Sequence, residues 1–126
     1  MSNIKWKNKT ILIAEDDWVN YQFLNEVVSL LGAKTLHAKN GLESVKICKE
    51  NENIDLVLMD IKMPEMNGYE ATIEIKKFRP DLIIIAQSAY ALQNEIYQYQ
   101  GVFNSYITKP IDTESLREEL ERFLAD

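Results

Sequence analysis

The chain predicts an α/β fold, a doubly wound five-stranded parallel sheet with helices on both faces. Three observations lead there. Short runs rich in Ile, Leu and Val recur along the chain, stretches with helical apolar spacing separate them, and the runs are near-continuously apolar rather than alternating. Strands buried on both faces and joined by helices are what right-handed crossovers in a parallel sheet produce.

Each element has its own signal. Thr10 to Ala14 (TILIA) reads as a buried strand and runs straight into Glu15, Asp16 and Asp17. Val19, Phe23, Val27 and Leu30 then mark one face of a helix that Asp17 caps and Gly32 ends. A strand near Lys34 to Ala38 follows, then Asn40-Gly41 and a helix from about Leu42 to Glu50. The strongest strand, Ile54 to Met59, ends at Asp60. A loop from Pro64 to Gly68 leads to a helix with Ala71, Ile75 and Phe78 on one face, stopped by Pro80. Asp81 to Ala86 repeats the strand pattern. Beyond Gln87 a weaker helix is expected over Leu92 to Gln100 and a short strand over Tyr106 to Thr108. The last helix is capped by Thr113 or Asp112 and buries Leu116, Leu120, Phe123 and Leu124. Residues 1–9 read as a leader or linker, with Trp6 packing on the domain edge, and residues 10–126 as the domain.

Composition narrows the function classes. Among 126 residues, 46% are apolar, enough for a core without staples, and the lone Cys48 makes no internal disulfide. A cytoplasmic protein is expected. No run approaches the ~20 apolar residues of a membrane span, so no membrane contact is expected. With 20 acidic against 14 basic residues the net charge is -6, which argues against nucleic-acid binding through phosphates.

Ligands of such sheets collect beyond the carboxyl ends of the strands. There the first strand delivers Glu15 and Asp16, the third Asp60, the fourth Ser88 and the fifth Lys109. Carboxylates brought together repel unless a cation joins them, so a divalent metal is expected, and oxygen-only ligands favour Mg2+. His37 and Cys48 read as structural, because one histidine without ligand neighbours makes no metal site.

The runs ILIAEDD, IDLVLMDIKMPEMNGYEA, IIIAQSAYA and YITKPI together resemble the receiver domain of two-component response regulators, from about Thr10 to Leu124. The resemblance implies a flavodoxin-like sheet with strand order 2-1-3-4-5. It implies Asp60 as phosphoacceptor, Asp16 as a direct metal ligand, Glu15 acting through metal-bound water, and the Lys62 carbonyl as a further ligand. Ser88 and the backbone N–H of Ala89 would hold phosphoryl oxygens, Lys109 would pair with the same group, and Pro110 would follow a cis bond that turns Lys109 to the site. Tyr106 resembles the aromatic switch residue. Glu15 stands where Asp is more usual, and Ser88 where Thr is; both keep the chemistry while changing reach or stiffness.

The function so implied is a phosphorelay receiver that takes a phosphoryl group from a phosphohistidine onto Asp60 with Mg2+. It would be no enzyme beyond its own phosphorylation and dephosphorylation. Its partners would be a histidine kinase or histidine phosphotransfer domain, and a downstream partner on the face made by the Leu92 to Gln100 helix, the fifth strand and the last helix. Two settings are open, a free single-domain regulator or a receiver cut from a hybrid sensor kinase, and the surroundings of Trp6 and Asn20 resemble the second. Two alternatives share parts of this pattern. An FMN carrier on the same fold would bind phosphate after the first strand, where Glu15-Asp16-Asp17 repels it. An aspartyl-nucleophile phosphohydrolase would want a second acid where Lys62 stands.

Overall fold

A computed structural model describes residues 6–88 and 101–124. In chain order the elements are β1 (Thr10–Ala14), α1 (Trp18–Leu30), β2 (Lys34–Ala38), α2 (Gly41–Glu50), β3 (Leu56–Asp60), α3 (Gly68–Phe78), β4 (Ile83–Ser88), β5 (Ser105–Thr108) and α4 (Thr113–Leu124). All strand pairs are parallel, and the sheet order is β2-β1-β3-β4-β5. The expected Leu92 to Gln100 helix and Ala89 lie outside the described residues.

The strand period of two sorts the core into two faces. Ile11, Ile13, Leu56, Leu58, Ile85 and Ile107 pack with α1 and α4 through Leu24, Val28, Leu116 and Leu120. Leu12, Val57, Met59 and Ile84 pack on the other side with Cys48 of α2 and with Ala71 and Ile75 of α3. Strands with a core on each side have no solvent face, which is why β1 and β3 read as unbroken apolar runs. β2 lies at the sheet edge and is only partly buried.

Local chemistry sets the helix starts. Asp17 accepts the Asn20 N–H at 3.2 Å to cap α1, and Asn40 accepts the Glu43 N–H at 2.8 Å to cap α2. At α3, Asn67 and Glu70 form a reciprocal capping box, with bonds of 2.8 and 3.1 Å. Asp112 rather than Thr113 caps α4, accepting the Ser115 N–H at 2.7 Å; the Ser115 N–H and hydroxyl hold its carboxyl below the usual range. Gly32, at φ 99°, gives the left-handed turn that ends α1.

Several boundaries differ from expectation. β3 starts at Leu56, since the Ile54 N–H turns back to Asn51 and the Ile54 carbonyl takes a 3.0 Å bond from Arg79. Ile54 is core without being strand. β4 starts at Ile83 because the Leu82 N–H closes a turn on Arg79, and it continues through Ser88. Trp6 is 3% exposed and belongs to the α1/α4 core rather than the domain edge. Cys48 is buried, and that burial pushes its thiol up to about 11 against the opposing charge of Arg79.

Candidate functional site: an acidic cleft at the strand ends

β1, β3, β4 and β5 end together at one edge of the sheet. Asp60 pairs in register with Gln87, and Ser88 with Thr108. Following the two-residue period, Glu15, Asp60, Gln87 and Lys109 continue the face of Ile13, Leu58, Ile85 and Ile107, under α1. Ser88 and Tyr106 continue the opposite face, where Tyr106 packs edge-on against Phe103 with ring centroids 5.6 Å apart. The Lys109-Pro110 bond is cis, as expected.

A cleft of about 220 Å³ is lined by Glu15, Asp16, Asp17, Asp60, Lys62, Gln87 and Lys109, among others. Glu15, Asp16 and Asp60 each offer a carboxylate oxygen, and these lie within 4.8 Å of one another. Glu15 is 1% exposed and Asp60 5%, while Asp16 is open to solvent. The Lys109 ammonium lies 3.2 Å from Asp60 Oδ1 and 3.5 Å from Glu15 Oε1. One cation therefore faces two buried acids. Burial first, and the charge of Glu15 second, push the Asp60 carboxyl from 3.8 to about 7, with Lys109 opposing.

That imbalance is the test for a metal. Three carboxylates without histidine or thiolate make a hard oxygen donor set, and Lys109 does not offset the burial of Asp60 and the charge of Glu15 beside it. The residues fit Mg2+, with Asp16 as the solvent-accessible acid.

Glu15 is fixed from several sides. Its Oε2 accepts the Asp17 N–H at 3.1 Å, and its Oε1 accepts Asn20 Nδ2 at 2.6 Å. His37 Nε2 lies 2.8 Å from the Glu15 carbonyl, which only accepts, so that nitrogen carries the proton. Tyr21 stacks on the His37 ring at 3.7 Å between centroids. His37 is structural, as read, but what it secures is the backbone of a cleft residue. Two further residues escaped sequence reasoning: Asn20, whose amide joins Glu15 to Gln87, and Gln87 itself. A Gln at the end of an otherwise apolar strand was the only signal for the second.

Ser88 is buried on the opposite face of β4, its side chain not among those lining the cleft, and its carbonyl accepts the Lys109 N–H at 2.7 Å. Lys62 lines the cleft, and Ala89 lies outside the described residues. Between β5 and α4 a cavity of about 480 Å³ is lined by Tyr106, Thr108, Pro110, Ser115, Glu118 and Glu119, among others. No described helix is long and apolar enough to cross a membrane.

A doubly wound sheet with an acidic cleft and a lysine at its strand ends defines a phosphoacceptor signalling module. The chain belongs to the response regulator receiver domain family, whose model matches residues 11–121. Receiver domains are signalling modules of two-component and phosphorelay systems. The chain is 32% identical over 124 residues to the autoinducer 1 sensor kinase/phosphatase LuxN of Vibrio campbellii, covering 97% of this chain and 14% of that protein. It is also 32% identical over 122 residues to the polar-differentiation response regulator DivK of Brucella anthropi, covering 94% of this chain and 98% of that one. The receiver domain of the sensor histidine kinase PA1611 from Pseudomonas aeruginosa, solved with a magnesium ion in its active-site cleft, superposes with a TM-score of 0.85. That likeness is at 29% identity over 94% of this chain and 99% of the other.

Proposed function

We propose that this receiver accepts a phosphoryl group on Asp60 from the phosphohistidine of a histidine kinase or histidine phosphotransfer domain. The observation that carries the reading is the Asp60 carboxylate itself, buried, 3.2 Å from the Lys109 ammonium and grouped with Glu15 and Asp16. In the transfer, an ionised Asp60 oxygen forms the new O–P bond while the P–N bond breaks and its electron pair returns to the imidazole. Lys109 offsets the negative charge of both reactants, and Ser88 supplies a hydroxyl for a phosphoryl oxygen. Mg2+, held by Asp16, Asp60, the Lys62 carbonyl and, through water, Glu15, would neutralise charge between the phosphoryl group and the carboxylates. Ala89 would add a backbone N–H.

The remaining parts of the reading follow from this one. Asp60 is the group that would be loaded and unloaded, so self-catalysed phosphorylation and hydrolysis would be the chain's chemistry. Ser88 and Tyr106 would carry the signal towards a downstream partner on β5, α4 and the Leu92 to Gln100 segment. The kinase names of LuxN and PA1611 fit a hybrid kinase as parent, and DivK, matched along 98% of its length, fits a free regulator; residues 1–9 would be a leader or linker, anchored by Trp6, to the receiver at 10–126. A reduced, buried Cys48 suits a cytoplasmic setting.

An FMN carrier is disfavoured by the three acids after β1, and a phosphohydrolase by Lys62 in place of a second acid. Intact mass after treatment with acetyl phosphate and Mg2+ tests the proposal. One phosphoryl adduct is expected, absent from Asp60→Asn; an adduct on a carboxylate of that variant overturns it.

A further inference from the structure

We infer that Gln87, acting through Asn20, sets the reach of Glu15 into the acidic cluster and is a positioning residue for divalent cation binding. This rests on the reading of the cleft given above, and goes on to a residue that reading does not use.

Glutamate carries one more methylene than aspartate, so its carboxylate has one more torsion to fix before it can serve a site of set dimensions. Asn20 supplies the constraint. Its Nδ2 has two hydrogens and two acceptors, Glu15 Oε1 at 2.6 Å and Gln87 Oε1 at 3.2 Å. Holding both hydrogens fixes the plane of the amide, and the amide in turn holds the Glu15 carboxylate. Gln87 is the anchor of this chain of contacts, on the rigid backbone of β4, paired in register with Asp60.

Gln87 is also expensive for the fold. It is 0% exposed, in line with Ile83 and Ile85 of the same strand, and its Nε2 has no partner among the described residues. A buried amide N–H left unpaired is destabilising, and an apolar side chain of the same length removes that penalty. A residue that weakens the core while it orders a cleft side chain gives stability and binding opposite signs, which a purely structural residue does not do.

The test uses Gln87→Met and Asn20→Ala in the full chain, alone and combined. Mg2+ affinity is measured by calorimetry and thermal unfolding without divalent ions. Gln87→Met is expected to unfold at a higher temperature yet bind Mg2+ about three- to tenfold more weakly, the scale of one lost hydrogen bond. The double variant should bind no more weakly than Asn20→Ala, because the two act in series. Unchanged Mg2+ affinity in Gln87→Met, a fall in both stability and affinity, or additive losses overturns the inference. Gln87→Leu, of similar volume, repeats the comparison if the Met variant misfolds, and must show the same opposed signs. Acetyl phosphate labelling of the wild type runs in parallel. Failure to label Asp60 sinks the proposed function, while the order of Mg2+ affinities judges this inference separately.

Discussion

The Asp60 carbonyl oxygen lies only 2.1 Å from where a β-carbon on Gly68 would stand. The Gly68 N–H also bonds the Ile61 carbonyl at 2.8 Å, so the start of α3 is fitted against the end of β3. Gly68→Ala must push two backbones apart. The expected cost is about 1–3 kcal/mol, with slower labelling of Asp60 by acetyl phosphate. Urea unfolding and labelling rates check it, and a variant as stable and as fast as wild type contradicts the fit.

The raised Asp60 carboxyl makes the metal-free protein's stability depend on pH in a direction opposite to most aspartates. With an ordinary value of 3.8 and a folded value of about 7, the folded state holds the proton more tightly. The stability this gives is fully present below 3.8 and is lost as pH rises through about 7. Asp60→Asn should remove that decline and be the more stable protein at alkaline pH. Urea midpoints measured across this range, without divalent ions, decide the matter.

Lys109 is the cation that lowers Asp60, so Lys109→Met should move the Asp60 carboxyl further up. Carbon-detected NMR titration of the side-chain carboxyls reports the shift. Labelling of Asp60 should fall on the order of a hundredfold, the scale of losing one charge-stabilising donor.

Asn67 closes the capping box of α3 without touching the cleft. Asn67→Ala should therefore cost about 1 kcal/mol of stability and leave the labelling rate at saturating Mg2+ near wild type. A large kinetic loss instead would mean that α3 sets the Asp60 geometry through more than Gly68.

Ser88 and Tyr106 share the face opposite Glu15 and Lys109. If Ser88 transmits the phosphoryl group's arrival, a phosphoryl analogue should shift NMR signals of Tyr106 and α4 in wild type and much less in Ser88→Ala. Equal shifts in both would route the signal elsewhere.

Most of the fold was legible because parallel strands buried on two faces leave unbroken apolar runs, and because Asp17, Asn40-Gly41 and Gly32 punctuate them. The strand ends were legible because charged residues interrupt the apolar runs there, at Glu15, Asp60 and Lys109, although Glu15 and Asp60 are themselves buried. The misplaced starts of β3 and β4 have one cause, since Ile54 and Leu82 are buried in turns tied to Arg79 and apolarity reports burial, not backbone pairing. The Asn67 and Glu70 box has the spacing of a helix start, but it begins in a loop-like Pro64 to Gly68 stretch whose turn residues mask it. Asn20 and Gln87 lay beyond spacing rules. Their meaning depends on a hydrogen bond between residues distant in sequence, which no local pattern carries.

In β4 the consecutive residues Gln87 and Ser88 face opposite sides of the sheet, one toward Asn20 and α1, the other toward the side of Phe103 and Tyr106. A single peptide unit thus separates the side chain bound into the charge network from the one beside the aromatic pair. Point substitutions can retune either neighbour alone. A one-residue insertion or deletion before them in the strand swaps their assignments, so this stretch should drift in composition while keeping its length.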